Sequence, residues 1–157
     1  QLLRPGPEAW HPSPEFIYAT GAGPVLDIGP YYVTALVTLL GPVDRVTALG
    51  TNPVPARHIG TGPRAGQTFR SAVDTDVRAL LEVGPVAVAL TLTYDAPELE
   101  WRVEIVGDEG VLRCGDPDTF DGPVLHRRHG ESEWRERRRR ISQTARPSGR
   151  CGAEWPP

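Results

Sequence analysis

Gly21-Ala22-Gly23-Pro24-Val25-Leu26-Asp27-Ile28-Gly29-Pro30-Tyr31-Tyr32-Val33-Thr34-Ala35-Leu36-Val37-Thr38-Leu39-Leu40-Gly41-Pro42 reads as a glycine-rich loop feeding one helix. Pro30 suits a first helical turn, where its missing N–H has no partner to lose. Gly41 followed by Pro42 is a stop signal. The spacing therefore predicts a helix over residues 30–40, with Val33, Leu36, Val37 and Leu40 as its apolar stripe.

The segment before it carries Pro5, Pro7, Pro12 and Pro14. These exclude a regular helix, and an extended loop pinned by Trp10, Phe16 and Tyr18 is expected. After it the pattern turns to alternation. Val46–Gly50 is a short strand. Val73, Thr75, Val77, Ala79, Leu81 and Val83 share one strand face, and Asp74, Asp76, Arg78 and Glu82 the other. Gly84-Pro85 turns the chain into Val86, Val88, Leu90, Leu92 and Tyr94, with Ala87, Ala89, Thr91 and Thr93 opposite. Trp101, Val103 and Ile105 continue the alternation, and Gly107–Gly110 turns into Val111–Cys114. Short turns between strands imply antiparallel pairing, because a parallel crossover takes about a dozen residues or more. The expected class is α+β: a largely antiparallel or mixed open sheet with helices packed on one face. The small face of Ala87, Ala89, Thr91 and Thr93 is either solvated or laid against another subunit.

The chain has 157 residues and a net charge of −3, enough for one domain with a real core. It contains no lysine and no methionine, so Gln1 is not an initiator and all 17 basic residues are arginine. The opening Gln-Leu-Leu-Arg-Pro lacks the cationic flank and apolar core of a signal peptide. No apolar run approaches the roughly 18 residues of a membrane span, so no membrane partner is expected. Cys114 and Cys151 share no metal-ligand spacing and read as unpaired thiols of a reducing, cytoplasmic setting. His11, His58, His126 and His129 form no zinc pattern, and no metal is expected. The run Arg137–Arg140 invites a nucleic-acid reading, but it adjoins aperiodic chain and the net charge is acidic; no nucleic acid is expected. The chain divides at 1–135, a folded domain, and 136–157, an Arg-rich tail read as disordered or aberrant.

Gly21-x-Gly23-Pro24 departs from the dinucleotide pattern G-x-G-x-x-G, and a proline-rich segment precedes it where a strand is required. Asp27 is the more informative residue. It sits just before the helix, with Tyr31 and Tyr32 expected at the first turn, where exposed N–H groups favour an oxyanion. A carboxylate and a phenol there suit the orientation of a substrate hydroxyl. The plainer alternative is that Asp27 caps the helix and the tyrosines belong to the core.

The runs Glu8–Phe16, Gly21–Tyr32, Leu39–Val43, Ile105–Leu112 and Asp116–Val124 together resemble the C-terminal half of Gfo/Idh/MocA-family oxidoreductases, relatives of glucose–fructose oxidoreductase and inositol 2-dehydrogenase. The resemblance covers about residues 6–135. It implies a substrate-binding and oligomerisation domain whose parent binds NAD or NADP through an N-terminal Rossmann domain that this stretch lacks. It implies a sugar or polyol substrate, and a homo-oligomer formed through the open sheet. Asp27 matches the aspartate of the family's G-G-G-x-x-x-D-x-G-x-H motif, and Tyr31 stands where its histidine would be. Asp27 and Tyr31 are thus the candidate catalytic residues, with His11, Tyr32 and Trp10 lining the substrate site. The family's catalytic lysine belongs to the absent half. This stretch alone is expected to bind no dinucleotide tightly and to be inactive. A non-catalytic module assembling through its sheet is the alternative.

Overall fold

The computed structural model describes residues 1–118 and 122–137. Strand β1 (Leu2–Pro5) is followed by two 3₁₀ turns, at Pro7–Ala9 and Pro14–Tyr18. Helices α1 (Pro24–Asp27) and α2 (Gly29–Leu40) come next, then β2 (Arg45–Thr51). A short hairpin, β3 (Ala56–His58) and β4 (Thr68–Arg70), leads to β5 (Asp76–Val83), β6 (Val86–Thr93) and β7 (Asp95–Trp101). The last strands are β8 (Val103–Gly107), β9 (Gly110–Cys114), β10 (Val124–Arg128) and β11 (Arg135–Arg137).

The main sheet has five strands in the order β2-β5-β6-β1-β7. The β5–β6 hairpin runs in unbroken register from Asp76↔Thr93 to Val83↔Val86, as the alternation predicts. The opening segment corrects the expectation of a loop. Leu2 and Leu3 pair in parallel with Leu92 and Thr93, and antiparallel with Trp101 and Glu100. The sheet is therefore mixed, and β1 fills the slot between β6 and β7. Strand β7 is an edge, which accommodates Pro97 and its missing N–H. After Trp101 the chain leaves this sheet at Arg102 and builds a second one, antiparallel in the order β11-β10-β9-β8.

The core lies between the main sheet and α2: Leu2, Ile17, Tyr18, Ile28, Tyr32, Leu81, Leu90, Leu92 and Tyr94. The helix stripe also differs from the expected one. Gly29 and Tyr32 are buried and Leu36 packs on the core, whereas Val33 and Val37 are exposed. Gly29 lies close against β6 in this rotation, since a Cβ there would stand 3.2 Å from Leu92 Cδ1. The bare glycine face lets the helix sit down on β6. Trp10 and Phe16, expected to pin the entry segment, are more than half exposed, and Tyr18 alone of the three is fully buried. The tail assigned to 136–157 lies outside the described residues, except that Glu136 and Arg137 extend β11.

Candidate functional site

Gly23 shapes the approach to the site. Its φ of 85° and ψ of 175° are open to glycine almost alone, and a Cβ would meet Val73 Cγ2 at 3.1 Å. The turn it makes starts α1, whose last residue is Asp27. Asp27 does not cap α2, which has no side-chain cap. Instead its Oδ2 accepts a hydrogen bond of 2.5 Å from the Tyr94 hydroxyl. Tyr94 is buried at the end of β6, with its amide donating to the Thr75 carbonyl at 2.9 Å. Burial, and then the hydrogen bond to the Asp27 carboxylate, push the Tyr94 phenol far above its usual range.

Beneath this pair lies a fixed polar base. The Tyr94 ring meets Tyr18 edge-on at 5.7 Å, and Tyr18 donates its hydroxyl to Glu8. The buried Arg57 guanidinium lies 5.3 Å over the Tyr18 ring and pairs with Asp95 at 2.6 Å and Glu8 at 3.2 Å. It also donates to Thr75 Oγ1 at 2.8 Å. Burial opposes its charge, but the Asp95 carboxylate overcomes this and raises its pKa. Nothing in the sequence around Arg57 signals this role, since its partners come from three distant segments.

The other expected site residues do not share one place. Trp10 faces a pocket of about 370 Å³ shared with Arg4, Ile28, Leu99, Asp116 and Asp118. The Arg4 guanidinium lies 5.7 Å over Trp10 and 6.0 Å over Tyr94, joining this pocket to the Asp27–Tyr94 pair. Tyr31 is exposed and opens onto a neighbouring cavity of about 620 Å³, lined by Pro30, Thr34, Val103, Cys114 and Val124. Asp116 borders both. Tyr32, expected beside Tyr31 at the helix start, instead turns inward. It is buried, and its hydroxyl donates to Asp116 Oδ1 at 3.3 Å. Desolvation and the Asp116 charge raise its phenol pKa. His11 lines neither cavity. Its Nδ1 accepts from the Ser13 amide at 3.0 Å, and its ring sits between Trp10 and Phe16. Sequence reading missed Tyr94, Arg4, Asp116 and Asp118 as site residues. The two aspartates lay within the Asp116–Val124 motif, which was the signal available for them.

The glycine turn does not fit a dinucleotide. The Ala22 amide donates to Ala19, the Gly23 amide to Ile17, and Leu26 and Asp27 both donate to the Gly23 carbonyl. Pro24 has no N–H to give. The amides of Ala22, Gly23, Leu26 and Asp27 are thus committed within the fold rather than turned toward a pyrophosphate. Among the described residues, no three His, Cys, Asp or Glu side chains are placed to hold a metal ion. No described helix is long and apolar enough to cross a membrane.

Comparison with known proteins gives one family and one fold. The profile described as GFO/IDH/MocA C-terminal domain matches residues 1–113. A crystal structure of an NAD-binding oxidoreductase from Klebsiella pneumoniae superposes with a TM-score of 0.57 at 21% identity, covering 74% of this chain. The match spans 31% of that chain. No curated protein matches.

Proposed function

The chain belongs to the GFO/IDH/MocA C-terminal domain family, and on that footing we propose that it is the substrate-side domain of an NAD(P)-dependent oxidoreductase acting on a sugar- or inositol-like alcohol. The observation that carries this reading is the pocket at Trp10, whose Arg4 also lies over Tyr94, the partner of Asp27. An exposed indole, Trp10, stands with Asp116, Asp118 and Arg4 around one concavity. An indole face takes the C–H face of a sugar ring. Carboxylates accept from its hydroxyls, and a guanidinium donates to them. Asp27, held by Tyr94, orients the reacting hydroxyl, and Tyr31 stands at the next cavity with its phenol exposed. His11 keeps Trp10 in place by ring contact. The dinucleotide is assigned to a further domain of the parent, because the Ala22, Gly23, Leu26 and Asp27 amides of the glycine turn are bonded internally and Pro24 has none. The stretch by itself is therefore inactive.

NMR titration of the chain separates the components of this reading. With myo-inositol or glucose, shifts are expected at Trp10 and at the Asp116–Asp118 amides, and they should vanish in Trp10→Ala. With NAD or NADP, calorimetry should register no binding. Micromolar dinucleotide affinity, or polyol shifts elsewhere on the surface, would overturn the proposal. A second reading, association through the open face of the main sheet, is favoured by the exposure of Leu49 and Leu80 there. The two readings are compatible in one protein.

A further inference from the structure

The second sheet carries a cationic concavity that the proposed reaction does not use. Its register sets Ile105, Leu112 and His126 abreast, with Arg128 opposite Gly110 and Arg137 opposite Val124. A space of about 470 Å³ is lined by Ile105, Leu112, His126, Arg128 and Arg137, together with Arg127, Asp108 and Glu109. The sequence is unusually basic here: residues 127–140 hold seven arginines against three glutamates, in a chain of net charge −3.

The neighbouring cations are already committed. Arg113 pairs with Glu104 at 2.8 Å and stacks on Trp134 at 4.5 Å. Arg127 covers Trp134 at 4.8 Å, and Arg135 pairs with Glu131 at 3.4 Å. Arg128 and Arg137 make no ion pair among the described residues, although both line the space. His126 Nδ1 lies 3.3 Å from the Arg135 carbonyl, which only accepts, so Nδ1 carries a hydrogen and Nε2 is left to the pocket. The carboxylates of Asp108 and Glu109, in the β8–β9 turn, stand at the rim and limit the charge a ligand meets.

We propose that this concavity binds a small phosphate- or pyrophosphate-bearing molecule, its phosphoryl oxygens held by Arg128 and Arg137 and its apolar part on Ile105 and Leu112. Guanidinium groups suit phosphoryl oxygens because their paired N–H donors match them two at a time. The site is separate from the one assigned to the alcohol, so either can fail without the other.

Inorganic pyrophosphate is the probe, added to the full chain at low salt and followed by calorimetry and by the His126 ring resonances. The wild type should bind with a shift at His126. Arg128→Gln and Arg137→Gln should each weaken binding by about tenfold, with unchanged far-UV circular dichroism because neither side chain makes an ion pair among the described residues. Raising the salt should weaken it further. No binding by the wild type would overturn the proposal. So would binding that survives the double variant or leaves His126 unmoved, since the arginines beyond Arg137 would then hold the anion. A single-stranded oligonucleotide that binds while pyrophosphate does not would equally overturn it.

Discussion

The four tyrosines divide three to one. Tyr18, Tyr32 and Tyr94 are buried, and each donates its hydroxyl to a carboxylate, Glu8, Asp116 and Asp27 respectively. Tyr31 is exposed, and its hydroxyl has no hydrogen-bond partner among the described residues. A phenol with an unspent O–H beside a cavity is the one available to a ligand, which supports Tyr31 as a substrate contact. The spent phenols have a measurable consequence. Desolvation and the neighbouring carboxylate raise all three in the folded chain. The unfolded value is about 10. A group raised on folding holds its proton more tightly in the native state, so its stabilisation is complete below about pH 10 and is lost as pH rises above it. Ultraviolet titration at about pH 11 should therefore leave the Tyr18, Tyr32 and Tyr94 phenols un-ionised while the fold persists. They should ionise together with unfolding. Ionisation of all four below the unfolding transition would contradict the buried pairs. Which of Tyr31 and Tyr32 would turn inward was not legible beforehand. Adjacent helical positions differ by about 100° of rotation, and the rotation adopted sets Gly29 close against Leu92, a contact across the fold.

At the scale of elements, the two glycines around α1 act differently and should respond differently to the same change. Gly23 has a backbone conformation that an L side chain adopts only under strain, and its added Cβ would press on Val73 and on the Asp74 carbonyl at 3.3 Å. Gly23→Ala should cost about 2–3 kcal/mol. Gly29 is helical, and its added Cβ is crowded by the tip of one leucine side chain at 3.2 Å, with the Pro24 carbonyl at 3.7 Å and Val25 at 3.9 Å in ordinary contact. The helix gains up to about 1 kcal/mol of propensity from alanine, so Gly29→Ala should stay within about 1 kcal/mol of the parent. Urea denaturation of both variants checks the contrast; equal losses would mean that the Gly23 turn relaxes. The elements with local signals were legible. Pro30 and Gly41-Pro42 mark α2 to within a residue, and the alternation through Gly84-Pro85 is the β5–β6 hairpin. Strands β1 and β7 were not read as strands. Leu2–Pro5 is a strand only because Leu92 and Trp101 flank it from far along the chain. Pro97 argues against a strand until the edge position is known.

At the scale of the whole molecule, the main sheet has one covered face and one bare face. Register places Leu80 opposite Thr47 and Ala89, and Leu49 opposite Arg78, on the side away from α2. Leu80 is 62% and Leu49 65% exposed. With about 3.4 Å per residue and about 4.8 Å between strands, β2, β5 and β6 make a plate of roughly 350 Å², and all five strands about half as much again. A stable specific interface buries about 1,200 Å² in total. Even the whole face of two copies comes to roughly 1,100 Å², just short of that figure, so association through it is expected to be weak and sensitive to its centre. Leu80→Glu puts a carboxylate there at almost no cost to the monomer, within about 0.5 kcal/mol, because the residue is already in water. Sedimentation velocity at about 100 µM, a concentration that populates complexes of micromolar Kd, should show a dimer for the parent chain and a monomer for the variant. A monomeric parent at that concentration removes the sheet face as an interface for this stretch. A dimer unaffected by the glutamate places the contact elsewhere, with the exposed side of α2 at Val33 and Val37 as the next surface to probe.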